Sequence, residues 1–329
     1  MELFGLGLLT IGLFVGFGLL IGILFGFFGM GGSFLVTPAL LVLGYPAKVA
    51  VGSGLAFVFG TSVIGALRHR DLGQVDYRLA GLMVVGMTIG IEVGSRAVFL
   101  LQAMGQADFV VSVAYVGLLA AVGLFVLRDA RTADGDGTAS GLAGWIRERR
   151  LPPTVRLAGG VTVSVWVVLA IGVAVGVLSG FLGVGGGFLL MPAMLYGLGV
   201  PAAVAVGTDI LQITLSGAYG AFVYAQQGAV EVPVVASLLL GSALGARIGA
   251  GATHLVDEDD IKGYFAAMLL AGSVAVASKE LGGAYDIEVL STLSVALVFG
   301  ASLLVSGAIV VAAVGALRRA SDEEPTTAR

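Results

Sequence analysis

Residues 6–28 contain no charged side chain, and stretches of the same kind recur along the whole chain. At 1.5 Å per helical residue, a run of that length reaches across the ~30 Å hydrocarbon layer of a bilayer. Further apolar runs cover residues 47–67, 79–103, 109–127, 161–182, 202–225, 232–255, 264–277 and 289–317. No single water-soluble core hides that much apolar surface. Only 12% of the 329 residues are charged and 58% are hydrophobic, against roughly a quarter charged in soluble domains. The fold class expected is an all-α polytopic membrane protein, multi-pass in the cytoplasmic membrane, with lipid as its partner. The first run has no basic residue before it and reads as a retained helix rather than a cleaved leader.

The 53 glycines lie within apolar runs, where they allow close helix approach and local breaks. The absence of cysteine excludes disulfides and thiolate metal sites. A net charge of −4 gives no reason to expect nucleic acid as a partner. No cofactor is expected, and a homo-oligomer is compatible with the composition.

Two runs, residues 34–43 and 188–197, fall short of the ~20 residues needed to span. They mark equivalent places in an internal duplication. Residues 26–41 read GFFGMGGSFLVTPALL and residues 180–195 read GFLGVGGGFLLMPAML, an offset of 154. At an offset of 155, PAKVAVG (46–52) faces PAAVAVG (201–207). In the same register Gly65, Gly73, Gly86, Gly90 and Gly94 face Gly220, Gly228, Gly241, Gly245 and Gly249. The chain is therefore divided into a first transmembrane repeat (1–128), a hydrophilic linker (129–160), a second repeat (161–282), an additional C-terminal helix (283–317) and a tail (318–329).

Arginine gives the orientation. Arg128, Arg131, Arg147, Arg149, Arg150 and Arg156 lie in or beside the linker, and Arg68, Arg70 and Arg78 lie around an earlier loop. The connections near Gly105 and at 225–229 carry no lysine or arginine. The positive-inside rule places the linker, the earlier loop and the tail after Arg318 and Arg319 in the cytoplasm. If the short runs cross the membrane, each repeat has five crossings and the two are inverted. If they are re-entrant, the repeats are parallel. The arginines favour inversion.

The leading candidate site is the pair of glycine-rich breaks, with Gly29, Gly31, Gly32 and Ser33 in one and Gly183, Gly185, Gly186 and Gly187 in the other. A helix restarting after such a break presents free N–H groups and a positive dipole end, which suits an anion. Broken helices at corresponding places in two halves point to a transporter's binding site.

These residues carry a resemblance. The paired GxGGG-type motif with proline five residues later (Pro38, Pro192), the repeated PAxVAVG and the central hydrophilic loop resemble the sulfite exporter TauE/SafE family, also called the sulfonate-uptake permeases. The resemblance spans roughly residues 6–281. It implies transport of sulfite, sulfoacetate, related sulfonates or other small anions. Ser33 in place of the last glycine and the extra C-terminal helix depart from the family pattern.

A second candidate set follows PAxVAVG: Ser53 in the first repeat, and Thr208, Asp209 and Gln212 in the second. The last three share a helix face by spacing. An ionisable group at membrane depth costs ~2.5–3.5 kcal/mol on insertion scales, so it faces a cavity or carries a function. Asp209 is assigned either to a coupling proton or cation, or to capping its helix near the headgroups. Third come Glu92, Arg96 and Arg247. Glu92 and Arg96 form a self-neutralising i, i+4 pair, whereas Arg247 has no local partner and is available to an anion, to Asp209 or to Glu92. The expected function is alternating-access transport of a small anion, with no enzymatic activity. A metal-cation carrier or channel requires more carboxylates or histidines at depth. An intramembrane hydrolase requires a nucleophile–base pair, and neither HExxH nor GxSG occurs.

Overall fold

In the computed structural model, residues 2–3, 6–28, 34–71, 75–131, 152–157, 162–252 and 258–323 are described. Among the described residues eleven α-helices run in order: α1 (Leu8–Phe28), α2 (Val36–Val42), α3 (Ala47–Asp71), α4 (Tyr77–Ala103), α5 (Ala107–Arg131), α6 (Val165–Leu182), α7 (Gly187–Pro192), α8 (Ala202–Gln226), α9 (Val232–Ala252), α10 (Glu258–Tyr285) and α11 (Glu288–Glu323). A π-helical turn, Ala193–Leu198, extends α7. Two minimal antiparallel pairs complete the described chain, Glu2–Leu3 with Leu6–Gly7 and Thr154–Arg156 with Thr162–Ser164. The apolar runs predict no strands, yet Leu6–Gly7 and Thr162–Ser164 lie within the first residues of the runs 6–28 and 161–182. The same runs also cut α10 short at 264–277, because the charged ends of that helix hide it from an apolar count.

Seven of the described helices are long and apolar enough to cross a membrane: α1, α4, α5, α6, α9, α10 and α11. The protein is a multi-pass membrane protein. Helix α8 does not meet that standard, since Thr208, Asp209 and Gln212 interrupt its apolar run, and it packs against α3 inside the bundle. Val51, Leu55, Phe57, Thr208, Gln212 and Ser216 on these two helices are fully buried.

Two seams of glycine hold the bundle. A Cβ at Gly18, Gly22 or Gly26 of α1 would collide with the backbone of Leu238, Ser242 or Ala246 on α9. The same collisions would follow at Gly241, Gly245 and Gly249 against Val15, Leu19 and Ile23. The second seam joins α4 and α6, through Gly86, Gly90 and Gly94 against Leu169, Val173 and Val177. Without water to expel, close backbone contact is what holds helices together in lipid. At the sequence offsets, α1 corresponds to α6 and α4 to α9. Each repeat therefore packs its first helix on the fourth helix of the other.

Contact order along the helices gives their directions. In both seams the numbers rise together, so the partners run parallel. In the α3–α8 contact, Gly52 meets Tyr224, Gly220 meets Leu55 and Gly217 meets Phe59, so these equivalent helices run antiparallel. The pair α5–α10 behaves likewise: Ser273 Oγ donates to Val116 O (3.0 Å) and Gly123 abuts Leu270. Equivalent helices related by an axis along the bundle would be parallel. These are antiparallel.

The short segments run back across the bundle. Phe34 stacks near Phe265, which also touches Phe28 at the end of α1, whereas Tyr45 meets Phe14 near its start. Residues 34–45 therefore return along α1, half in helix. Helices α3 and α11 run in the same direction as α9 and α1: Gly52 and Gly60 meet Ala229 and Leu239, and Phe17 and Leu20 meet Phe299 and Ser306.

Candidate functional site

The second glycine break is built from three left-handed residues. Gly183 closes α6 at φ +76°, and Gly185 (+68°) and Gly186 (+89°) lead into α7. L-residues pay roughly 1–2 kcal/mol in that region, and β-branched ones fit it worst. Space is also limited. A Cβ at Gly185 would lie 2.7 Å from Val58 Cγ1, and at Gly186 2.9 Å from both Met87 Cε and Val175 Cγ1. Residues 183–188 are all buried.

The end of α6 is well satisfied. Gly183 N donates to Ser179 O (2.7 Å), and the buried Tyr224 hydroxyl donates to Gly180 O (2.6 Å). The start of α7 is not. Its N-cap is Gly186, with no side chain to cap it, and Leu189 N already bonds Gly186 O (3.0 Å). The N–H groups of Gly187 and Phe188 have no acceptor inside the helix, as at any helix start. Ser179 Oγ, just before the break, is buried without a partner.

Helix α2 of the other repeat borders this break. Thr37 Oγ1 donates to Ala50 O (3.3 Å), and a Cβ at Gly54 would strike that hydroxyl and approach Gly183 O. Phe34 and Phe188, at equivalent positions just after the two breaks, face each other with ring centroids 6.1 Å apart. The first break's own residues, Gly29, Gly31, Gly32 and Ser33, lie outside the described residues.

The hydroxyls after PAxVAVG have a role the sequence reading did not give them. Ser53 Oγ accepts from Glu231 N (2.9 Å), and Thr208 Oγ1 accepts from Asp76 N (2.9 Å). Ser53 and Thr208 are equivalent at the offset of 155, and so are Asp76 and Glu231. Each hydroxyl ties its helix to the turn before α4 or α9 of the other repeat. The signal was present in the sequence, as two acidic residues in register, each preceding a helix. Asp76 caps α4 itself, its Oδ1 accepting from Arg78 N and Leu79 N at 3.0 Å.

Asp209 is 2% exposed and does not cap α8, whose N-cap is Pro201. It accepts from Gln212 Nε2 at 3.0 Å. Its counterpart in the first repeat is Gly54, beside the second break.

Glu92 and Arg96 form the expected pair at 2.7 Å. Tyr219 of α8, which the sequence reading missed, donates to the other Glu92 oxygen over 2.8 Å. Arg96 and Arg247 are exposed, and Arg247 makes no ion pair with Asp209 or Glu92. Arg96 and Arg247 thus lie on the outside of the bundle, with Glu92 part-exposed beside Arg96. Among the described residues no three His, Asp or Glu side chains gather as metal ligands.

The sulfite exporter TauE/SafE family profile matches residues 14–276, a stretch that contains both breaks and both seams. Curated relatives are similar over most of their length. A probable membrane transporter protein of Xylella fastidiosa (strain 9a5c) is 28% identical over 237 residues, covering 71% of this chain and 82% of that protein. The probable membrane transporter protein YjnA of Bacillus subtilis (strain 168) is 28% identical, over 71% of this chain and 86% of its own. The archaeal MJ0441 of Methanocaldococcus jannaschii, also a probable membrane transporter protein, is 26% identical over 74% of this chain and 86% of its own. No solved structure matches at a significant level.

Proposed function

The chain belongs to the sulfite exporter TauE/SafE family of membrane transporters, and from that premise we propose that it carries a small anion of the sulfite or sulfonate class by alternating access. The observation that supports this reading is the buried, uncapped start of α7. Backbone N–H groups and a dipole end of about half a positive charge suit a small oxyanion. They do so without a basic side chain, whose charge would be costly to bury. The three positive-φ glycines bring that terminus into the bundle, and the Ser179 hydroxyl, buried without a partner, offers a further donor.

Inverted repeats supply the motion. Two similar halves facing opposite ways can exchange conformations, so that an inward-open form mirrors an outward-open one. The reading is tested by uptake of labelled sulfite and of a labelled sulfonate into proteoliposomes, with a labelled divalent cation as the comparison. Anion uptake that saturates, with no cation uptake, is the expected result. Cation uptake without anion uptake would replace it with the cation-carrier reading.

A further inference from the structure

Asp209 and Gln212 lie one turn apart on α8, exposed by 2% and 0%. Gln212 Nε2 donates to Asp209 Oδ1 (3.0 Å), whereas Gln212 Oε1 is buried with no donor. A buried acceptor left without a partner is unfavourable, because it has given up its hydrogen bonds to water. An ionised carboxylate cannot relieve it, because it offers only acceptors. A protonated carboxyl can. A carboxylic acid and a primary amide face each other through two bonds, N–H to one oxygen and O–H to the other. The first is already present, and the amide oxygen left over lies on the same planar group.

The geometry points to Asp209 as a proton-binding site, with Gln212 as its receptor, through which a proton travels with the anion. This rests on the anion-transport reading above. One proton from water on one side forms the Asp209 O–H bond, and that bond breaks to return the proton to water on the other. No other covalent bond changes. With a singly charged anion, the loaded carrier moves no net charge.

Among the described residues the carboxyl has no counter-ion. Helix α8 packs against α3, α4, α7 and the π-helical turn. Among their described side chains, Asp76 lies beside Thr208 and its carboxylate caps α4. Tyr77 and Arg78 are exposed, Lys48 is at the far end of α3, and Glu92 is held by Arg96 and Tyr219. The side chains of Arg68, His69, Arg70 and Asp71 at the near end of α3 lie outside the described residues. Among the described side chains no ion pair reaches Asp209. Its equivalent is Gly54 and that of Gln212 is Phe57, so only one repeat carries the pair, which gives one proton per chain.

Infrared titration of the purified protein reads the site without any substrate. A protonated-carboxyl C=O band at neutral pH, lost in Asp209→Asn and shifted in Gln212→Leu, is the expected result. A band absent from wild type, or unaffected by both variants, overturns the proposal. Proteoliposomes then read the coupling, using a labelled sulfonate, whose acid group does not titrate. An imposed pH gradient should drive accumulation in wild type, and Asp209→Asn should lose accumulation while keeping sulfonate exchange. Accumulation that persists in Asp209→Asn, or that follows a sodium gradient instead, overturns it too. If the infrared band behaves as expected but no variant and no wild type moves sulfonate, the anion reading has failed and the proton site stands.

Discussion

Phe34 and Phe188 face each other in the middle of the bundle, 6.1 Å between centroids and tilted by 54°. They are equivalent residues of the two repeats, so a contact between them lies at the axis that relates the halves. Each follows its glycine break directly. Loss of this contact should loosen both breaks together. Phe34→Ala and Phe188→Ala should each lower thermal stability by ~3–5 kcal/mol worth of core packing. The double variant should cost less than the sum of the two. A melting series in detergent across the four proteins checks this.

The second break should tolerate no β-branched side chain. Gly185→Val adds backbone strain at φ +68° and a clash with Val58. Anion uptake per correctly inserted molecule should fall to background. Gly81→Ala, where nothing lies within 4 Å of the added Cβ, should transport as wild type does. If both variants insert normally and carry anion at equal rates, the break is a packing device.

The seam glycines should act through assembly instead. Gly90→Leu would drive a side chain into the backbone of Val173 and Val177, and Gly245→Leu into that of Leu19 and Ile23. Both should reduce the yield of folded protein. Whatever fraction inserts should keep its preference among anions. Yield by fluorescence-detected size exclusion and competition between sulfite and a sulfonate separate the two effects.

The crossed hydroxyl ties should be energetically matched. Ser53→Ala leaves Glu231 N–H without its acceptor, and Thr208→Val does the same to Asp76 N–H. Each should cost ~1–3 kcal/mol of stability, and Thr208→Ser should restore most of the loss. Unfolding by denaturant in the same detergent checks all three.

Topology can be read with single cysteines, since the chain has none of its own. Ser140→Cys in the linker and Thr326→Cys in the tail should be shielded from an impermeant maleimide in whole cells. Gln106→Cys, exposed between α4 and α5, should react. Reaction at Thr326→Cys would put the tail outside and contradict the arginine assignment.

Much of this architecture was legible from glycine spacing, because in lipid the packing surface is the small-residue stripe itself. Gly86, Gly90 and Gly94 announced a seam. What they could not announce was its partner, since any stripe of the same pitch would fit, and the true partner is a helix of the other repeat. That Asp209 and Gln212 share a helix face follows from their i, i+3 spacing, but the missing donor at Gln212 Oε1 depends on what surrounds it. Glu92 and Arg96 were paired correctly from spacing. Tyr219 joins them across 127 residues of chain, a distance no local pattern reports.

The exchanged seams bear on how the protein is made. Helix α1 leaves the ribosome long before α9, the helix on which its glycines close. Until then its notched face has only lipid or a borrowed helix to lie against. The first repeat is thus an unfinished object in the membrane while the second is still being translated. Two half-chains expressed together should find each other and assemble, whereas either one made alone should be cleared as an orphan.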